Sequence, residues 1–340
     1  MTQTDENLGK SLIVGGIALD GRAFLAPMSG VTDRGMRRIA RRFGAGLVVS
    51  EMVAADDFVR GDAESRLRAE GEGVDPHVVQ IAGRDPHWMA EAARLAEASG
   101  AAMVDINMGC PAKKVTGGLA GAALMRDPDL ALQLVRATVA AVTVPVTLKM
   151  RLGWDHASLN APDIAARAQA EGVAMITIHG RTRQQFYKGR ADWTAIRAVR
   201  DRVTIPLVAN GDVDSLADAR EMLRLSGADA VMIGRAAVGR PWLVGGVAYG
   251  LRGAARPQPS ADARLAAALE HYESLLSDFG LAQGVRHARK HLAAYAEHAA
   301  TDAGPSLDPA LRLRLVTTDD PGEAARLLAE VFGAQRRAAA

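Results

Sequence analysis

The chain's only cysteine, Cys110, lies in a segment that suits a reactive group. A lone cysteine is more often a small buried hydrophobic residue. Here, however, the apolar residues Met103, Val104 and Ile106 lead into a polar tip, where Gly109 and Pro111 flank the thiol and end regular structure and Asn107 lies nearby. We therefore expect Cys110 at the mouth of a strand, facing a ligand.

Polar residues follow the other apolar runs in the same way. They include amides, cations, an imidazole, a carboxylate and a glycine: Gln80, Lys149, Arg151, His179, Arg181, Asn210, Asp212, Gly234 and Arg235. A ring of structural salt bridges could account for a few of them, but not for amides, cations and glycines after so many runs. The pattern indicates an active site with a large ligand.

Two of these segments, Asn210-Gly211-Asp212 and Gly234-Arg235, are typical of a phosphate site. Glycine lets backbone N–H groups approach an anion closely, and an arginine adds charge. Lys149 and His179 could neutralise or hydrogen-bond the same ligand. The segment Pro27-Met28-Ser29, at the end of the first run, offers backbone groups to one edge of a flat ring.

The apolar runs predict the fold. They lack polar alternation and are separated by alanine-rich segments of helical spacing, as parallel strands buried on both faces require. Eight such units in about 250 residues predict a (β/α)8 barrel, whose active site lies at the C-terminal ends of the strands. The predicted strands are Ala23 to Met28, Gly46 to Met52, His77 to Gly83, Met103 to Gly109, Val144 to Arg151, Met175 to Arg181, Ile205 to Asp212 and Ala230 to Ala236.

We expect two domains, 1–250 and 251–340. The first begins with a β-hairpin, Leu12 to Leu19, that caps the bottom of the barrel. The second follows a Gly/Pro/Ser-rich linker, Arg252 to Ser260, and is helical and neutral overall, with one basic segment at 286–291. Its predicted helices are Ala261 to Phe279, Leu281 to Ala300, Pro309 to Leu315 and Pro321 to Phe332, with a loop around Gly304-Pro305.

The longest connection between strand ends follows Cys110. It opens with Lys113 to Met125, which contains two lysines and three glycines before a helix begins near Asp127-Pro128. A long glycine-containing segment beside a reactive residue predicts a mobile lid.

Composition excludes several classes of protein. One cysteine allows no intrachain disulfide, and the polar N-terminus with its short apolar run predicts neither a signal peptide nor a membrane span, so we expect a cytoplasmic protein. A net charge of +2 makes any RNA-binding surface a local patch. A strand-turn-helix GxGxxG unit is absent, and His77, His87, His156 and His179 lack zinc-ligand spacing, so we expect neither a Rossmann dinucleotide pocket nor a metal.

Several motifs together resemble the tRNA-dihydrouridine synthase family, most closely its bacterial B type. They run through the whole barrel in order, and Arg286 to Tyr295 (RHARKHLAAY) resembles the family's C-terminal helical domain. Ser29 stands where the family often has alanine. The barrel motifs are APMSGVTDRGMRR (26–38), DINMGCPAKKV (105–115), LKMRLGW (148–154), HGRTRQQFYKGRADW (179–193), VANGDV (208–213) and IGRAAVGRPW (233–242).

The resemblance implies an FMN enzyme that reduces the C5=C6 bond of a D-loop uridine in tRNA, with NADPH as the hydride source. Hydride addition at C6 builds negative charge on C5 and the C4 carbonyl, and C5 must then receive a proton. A thiol with an ordinary pKa of about 8.5 is mostly protonated near neutral pH, so Cys110 can donate that proton. The implied FMN-binding residues are Pro27, Met28, Ser29, Gln80, Lys149, His179, Asn210, Gly211, Asp212, Gly234 and Arg235.

The resemblance also implies contacts to the RNA. Asn107 and Arg181 are candidates for hydrogen bonds to the uracil edge, and Arg151, like Lys149, for tuning the flavin or binding a phosphate. A uridine in folded tRNA must be extruded to reach a flavin in a cleft. Candidate contacts to the RNA backbone are Lys113, Lys114, Arg286, Arg289 and Lys290, although charged runs are usually solvated helix faces.

Two other functions stay open at this point. A flavin barrel acting on a free pyrimidine or dihydroorotate would not need the helical domain of about 90 residues that ends this chain. A non-catalytic RNA-binding protein would not need Cys110, Lys149 and His179. The B-type resemblance favours position 17 of the D-loop, but the sequence does not fix the target uridine, and we expect a monomer.

Overall fold

The computed structural model describes residues 9–254, 258–304 and 306–339. Its main sheet is entirely parallel and has the strand order β4-β3-β11-β10-β9-β8-β7-β6-β5. The strands are β3 (Ala23–Leu25), β4 (Leu47–Val48), β5 (Met52–Ala54), β6 (Val78–Ala82), β7 (Met103–Met108), β8 (Val146–Arg151), β9 (Met175–His179), β10 (Leu207–Asn210) and β11 (Ala230–Ile233). They are preceded by a hairpin of β1 (Leu12–Val14) and β2 (Ile17–Leu19).

The nine segments form a (β/α)8 barrel because β4 and β5 are two parts of one strand. The strand predicted over Gly46 to Met52 is interrupted at 49–51, and the Ser50 N–H bridges the gap by donating to the Val78 carbonyl at 3.0 Å. Two polar side chains explain the break. The Ser50 hydroxyl accepts the Gln80 N–H at 2.9 Å, and the buried Glu51 carboxylate accepts the Gly30 N–H. The prediction of an eight-stranded barrel is confirmed, but its second strand is not continuous.

Helices connect the strands and cover the outside of the barrel. Several begin at side-chain caps, in which Asp33, Asp85, Asp127 and Ser215 accept N–H groups of the first turn. The helices are α1 (Arg34–Arg42), α2 (Ala55–Val59), α3 (Ala63–Ala69), α4 (Pro86–Ala98), α5 (Lys113–Gly117), α6 (Pro128–Ala141), α7 (Ala161–Ala170), α8 (Arg197–Arg200), α9 (Leu216–Ser226) and α10 (Trp242–Leu251), with 3-10 helices at Gly121–Arg126 and Arg235–Ala237.

The hairpin closes the bottom of the barrel, as predicted. Its Leu12, Val14 and Leu19 are buried in one cluster with residues at the N-terminal ends of the strands, such as Val78 and Met103. Burial of this apolar end leaves the opposite, C-terminal end as the open face. The strand register also sets the site, because it places Asn107 beside Lys149, and His179 beside both Arg151 and Asn210.

The last three helices form a separate layer beside the barrel. They are α11 (Ala261–Ala303), α12 (Pro309–Thr317) and α13 (Pro321–Ala339). Gly280 breaks α11 with φ 71° and ψ 167°, a conformation that residues with a Cβ rarely adopt, so the two helices predicted on either side of it are confirmed. The layer packs on Ile39 of α1 and Trp242 of α10 through its own apolar core.

The last barrel helix ends at Leu251, one residue past the predicted domain boundary. Pro305 of the predicted loop and residues 255–257 of the predicted linker lie outside the described residues. Within the ranges that the structure describes, we find no helix that is both long and apolar enough to cross a membrane.

Candidate active site

The C-terminal ends of the barrel strands surround a cleft of about 1120 Å³. This is larger than the pockets of roughly 300 to 1,000 Å³ that hold single small ligands. The barrel brings together in its lining most of the predicted site residues, which are Pro27, Met28, Ser29, Gln80, Asn107, Cys110, Lys149, Arg151, His179, Arg181, Asn210, Gly211, Asp212, Gly234 and Arg235.

Cys110 is partly exposed in this cleft, and its loop is held from several sides. The Asn107 side-chain oxygen accepts the N–H groups of Gly109 at 3.1 Å and of Cys110 at 3.0 Å. Arg151 Nε donates to the Gly109 carbonyl at 2.7 Å, and the Ala122 N–H donates to the Cys110 carbonyl at 3.0 Å. The backbone that carries the thiol is therefore fixed on both its donor and acceptor sides.

A chain of buried side chains leads from the barrel interior to this loop. Thr147 Oγ1 donates to Asp105 Oδ1 at 2.5 Å, and Gln80 Nε2 donates to Asp105 Oδ2 at 2.7 Å. Asn107 Nδ2 in turn donates to Gln80 Oε1 at 2.8 Å. Burial raises the pKa of Asp105, while the hydrogen bonds from Gln80 and Thr147 and the charge of Lys149 oppose that rise. Both polar atoms of each amide are thus engaged within the protein.

Lys149 and His179 form the floor of the cleft next to this chain. Lys149 Nζ donates to Asn210 Oδ1 at 3.1 Å, and Asn210 Nδ2 donates to the Met232 carbonyl at 2.8 Å. Burial and the nearby charge of Arg151 lower the pKa of Lys149 to about 8, against the opposing charge of Asp105. Burial and the surrounding cations lower the pKa of His179 well below its usual value. The imidazole is therefore neutral at physiological pH.

The Asp212 carboxylate is paired with two arginines and with a backbone N–H group. It accepts from Arg181 Nη2 at 2.5 Å, from Arg235 Nη2 at 3.3 Å and from the Ala191 N–H at 2.8 Å. Burial pushes its pKa up, but these hydrogen bonds and the arginine charges outweigh that effect and lower it. Its φ of 60° follows Gly211, where a Cβ would lie 2.7 Å from the Ala191 Cβ.

The two buried arginines have more structural contacts than the sequence indicates. Arg151 donates through Nη1 to the carbonyls of Thr182 and Phe186, both at 2.9 Å. Arg181 donates to the Gly189 carbonyl at 2.6 Å and lies 3.3 Å from His179 Nε2. Because an arginine can only donate, His179 Nε2 is the acceptor and its proton is on Nδ1.

Sequence reasoning missed Tyr187 as a lining residue of the cleft. The residue is 54% exposed, and the centroid of its ring lies 5.6 Å from the Arg151 guanidinium carbon and 5.3 Å from that of Arg235. Trp88 also lines the cleft, and its ring centroid lies 5.0 Å from the guanidinium carbon of Arg60. The only sequence signal for Tyr187 was its position shortly after His179 in a chain with few aromatic residues.

The segment predicted as a lid is more ordered than expected. It contains α5 and the 3-10 helix Gly121–Arg126, and residues 121–125 are buried. At Gly121, with φ 60°, a Cβ would lie 2.9 Å from the Cys110 carbonyl oxygen, so this segment packs directly against the thiol loop. Lys113 is exposed, and the side chain of Lys114 lies outside what the structure describes. Only residues 113–120 are left as a candidate lid.

The three predicted RNA-binding cations of α11 differ in their surroundings. Lys290 reaches the mouth of the barrel, where a Cβ on Gly30 would lie 3.6 Å from its ammonium nitrogen. Arg286 is exposed, with Nε donating to the Ala282 carbonyl. Arg289 instead forms an ion pair with Asp319 at 2.9 Å, next to the chain entering α13.

A second polar cluster lies between α1 and α11, and sequence reasoning missed it because its members are 238 and 258 residues apart. His271 Nε2 lies 3.0 Å from Asp33 Oδ2, and His271 Nδ1 lies 3.1 Å from the Tyr295 hydroxyl. His291 Nε2 is 3.7 Å from the same carboxylate oxygen, which is too far for a hydrogen bond, and neither of its ring nitrogens has a hydrogen-bond partner among the described residues. Asp33, His271 and His291 could together supply three metal ligands. The direct contact between His271 and Asp33 is that of a hydrogen bond.

The fold and the site define an enzyme of the (β/α)8-barrel class, with a cysteine and several cations around one cleft. A family model described as Dihydrouridine synthase (Dus) matches residues 24–305. The chain belongs to this family, whose members are flavin-dependent oxidoreductases that act on tRNA.

Curated relatives agree with that assignment, and a solved structure shares the fold. A probable tRNA-dihydrouridine synthase of Rhizobium leguminosarum bv. phaseoli is 57% identical over 312 residues, 92% of this chain and 95% of the relative. A tRNA-dihydrouridine synthase B of Xanthomonas campestris pv. campestris is 49% identical over 286 residues, 84% of this chain and 86% of the relative. Histamine dehydrogenase from Rhizobium sp. 4-9 shares the fold, with a TM-score of 0.55 at 14% identity over 80% of this chain and 51% of that one.

Proposed function

We propose that this enzyme uses FMN and NADPH to reduce the C5=C6 bond of a D-loop uridine in tRNA, with Cys110 as the proton donor. The observation that carries the proposal is the position of the thiol, which is partly exposed in the cleft on a loop that hydrogen bonds hold on both sides. A binding protein would have no use for such a group. NADPH over NADH, position 17, a cytoplasmic location and the monomeric state stay predictions.

One part of the cleft suits the phosphate of FMN. Four cations lie there, Lys149, Arg151, Arg181 and Arg235, and they outnumber the two nearby carboxylates, Asp105 and Asp212, which favours an anionic ligand. Gly234 leads into the 3-10 helix Arg235–Ala237, which suits the predicted phosphate contact of Gly234 and Arg235. The proposed set keeps Pro27, Met28, Ser29, Gln80, Lys149, His179, Asn210 and Gly211 as the remaining cofactor contacts. Asp212 takes part by holding Arg181 and Arg235.

Held by these residues, the flavin would supply the hydride for C6 of the uracil ring. Cys110 Sγ then donates its proton to C5, which leaves a thiolate that solvent reprotonates before the next turnover. An acid of this kind typically contributes a factor of about 10² to 10⁴ in rate. Lys149 and Arg151 lie near the thiol, and their charges would stabilise the thiolate once the proton has left.

Asn107 is suited to donate a hydrogen bond to the uracil. Its oxygen already accepts two backbone N–H groups, and one hydrogen of its Nδ2 is bonded to Gln80. The remaining hydrogen can be donated to the C4 carbonyl of uracil. It cannot be donated to the C4 amino group of cytosine, which is itself a hydrogen-bond donor. Arg181 has most of its donors engaged, so we assign it a weaker contact to the base.

For the RNA backbone we keep Lys113, Lys114, Arg286 and Lys290 as candidate contacts. Lys290 has the strongest support, since it comes from the helical layer and lies beside Gly30 at the barrel mouth. Arg289 has the weakest support, because Asp319 already pairs with it.

The decisive experiment compares Cys110→Ala with the wild-type enzyme on transcribed tRNA. The variant should keep its bound flavin and its reduction of that flavin by NADPH, and should lose about 10²-fold or more in dihydrouridine formation. Turnover at the wild-type rate would refute the role of Cys110 as the acid. Activity on free uridine but not on tRNA would instead favour the alternative, a flavin barrel acting on a free pyrimidine.

A further inference from the structure

We propose that Asp105 is a positioning residue for Cys110: acting through Gln80, it fixes the orientation of the Asn107 amide that holds the cysteine loop. The proposal deepens the proposed function, because the importance of the loop rests on Cys110 being the proton donor. It concerns the geometry of the loop, however, and can be tested without measuring any reduction of RNA.

Ionised Asp105 can only accept hydrogen bonds, so the end of Gln80 that faces it at 2.7 Å must be the Nε2 group. Gln80 then presents its oxygen to Asn107, which must answer with Nδ2 at 2.8 Å. Asn107 is left with its oxygen directed at the N–H groups of Gly109 and Cys110. Once Asp105 sets the orientation of the Gln80 amide, the Asn107 amide has only one favourable orientation.

The opposite orientation shows what Asp105 prevents. If both amides were turned over, the Asn107 NH₂ group would face the two backbone N–H groups, and neither could form a hydrogen bond there. Gln80 would at the same time turn its oxygen towards the carboxylate, so that two acceptors would face each other. The loop would lose two of the contacts that fix the thiol. A neutral group at position 105 that can donate as well as accept would not exclude this state.

Burial supports a dedicated role for this carboxylate. Asp105 is only 3% exposed in the barrel interior, where an ionised group is costly unless it is well hydrogen-bonded. Its two oxygens are met by Thr147 and Gln80, and neither partner is a cation. A buried charge without a cationic partner contributes little to holding two elements together. It does set the donor and acceptor direction of the hydrogen bonds through Gln80 and Asn107.

The test is Asp105→Asn, with Thr147→Val as the matched control at the same carboxylate. Asparagine keeps the shape of the side chain and allows both orientations of the chain of amides. Cys110 is the only cysteine, so its alkylation by iodoacetamide reports on this loop alone. We expect alkylation of Asp105→Asn to become about fivefold faster, the size expected when one or two hydrogen bonds are lost part of the time. Thr147→Val should stay within about twofold of wild type, since it leaves the link from Asp105 to Gln80 in place.

A second variant keeps the proposal testable if Asp105→Asn does not fold. Gln80→Met cuts the same chain without adding a charge and should also speed alkylation about fivefold. Combining it with Asp105→Asn should add nothing further, because both act through one path. An unchanged alkylation rate in either single variant, or an increase in Thr147→Val as large as in Asp105→Asn, would overturn the proposal. If alkylation changes as expected while Cys110→Ala remains active, the positioning chain stands and the acid role fails.

Discussion

Two buried aspartates in this molecule have opposite electrostatic surroundings. Asp105, inside the barrel, is hydrogen-bonded by a neutral amide and a hydroxyl, and burial raises its pKa. Asp33, between the barrel and the helical layer, also loses hydration on burial, but His271, His291 and the Met36 N–H outweigh this and hold its pKa well below the usual range. The first aspartate orients its neighbours, whereas the second holds two parts of the chain together.

The difference has a structural basis in what each carboxylate faces. Asp33 caps α1 through the Met36 N–H at 3.0 Å and binds His271 of α11 at 3.0 Å, so it joins two elements far apart in sequence. The partners of Asp105 lie on adjacent barrel strands, which the sheet already holds in place. Loss of Asp33 should therefore reduce stability, while loss of Asp105 should mainly reduce the precision of the site.

The largest predicted effect is on stability and concerns Asp33→Ala. The change removes the hydrogen bond between His271 and a buried carboxylate and also removes the cap of α1, and these losses typically cost about 1.5 to 3 kcal/mol and about 0.5 to 2 kcal/mol, respectively. We expect a large decrease in the urea midpoint measured by circular dichroism. The control is Asp62→Ala, which removes the same kind of cap from α3 but has no histidine partner, and should have a clearly smaller effect. Equal decreases would mean that Asp33 acts only as a cap.

These two aspartates also show what the sequence can and cannot predict. The eight strands and the polar residues at their ends follow from local apolar runs and the geometry of a parallel barrel, so Cys110, Lys149 and His179 could be placed in one cleft in advance. The direction of side-chain hydrogen bonds could not be predicted, because it depends on pairs such as Asp105 with Gln80 on different strands. For the same reason the pairing of the Asp212 carboxylate with Arg181 and Arg235 was not predicted.

The cluster of Asp33 and His271 lay further beyond prediction. Its members are 238 residues apart, and nothing in the local pattern around His271 distinguishes it from a histidine on a solvated helix face. Similarly, the break in the second strand depends on Glu51 turning towards Gly30, a contact between two strand ends. Periodicity reports the faces of an element, and it does not report which polar groups meet across elements.

The second predicted effect concerns Lys149, the cation that the Asp105 charge helps to keep protonated. Its pKa of about 8 means that the ammonium loses its proton as the pH rises through that value. FMN binding to the apoprotein should therefore weaken by up to about tenfold for each pH unit above 8, as long as the bound form keeps the proton. Flavin fluorescence quenching between pH 7 and 10 measures this.

Lys149→Met separates this effect from other titrations. The variant should bind FMN more weakly at pH 7, since one positive charge is missing, and it should lack the decline above pH 8. If Lys149→Met declined with pH as steeply as the wild type, the cation would have no part in cofactor binding.

The smallest predicted effect tests how the helical layer, which Asp33 fastens to the barrel, presents its cations to RNA. Lys290 lies beside Gly30 at the barrel mouth, and burial lowers its pKa against the opposing charges of Glu51 and Asp33. Lys290→Ala should weaken tRNA binding about three- to fivefold and lower the slope of log Kd against log salt by about one, as expected for one lost phosphate contact. Arg289 lies on the same helix as Lys290, but Asp319 already pairs with its side chain. Arg289→Ala should therefore change neither the tRNA affinity nor the salt slope. Filter binding at several salt concentrations measures the tRNA affinity of both variants. Equal losses of affinity would show that tRNA contacts the whole face of α11. In that case, the attachment of this helix to the barrel through Asp33 would not make Lys290 the preferred contact.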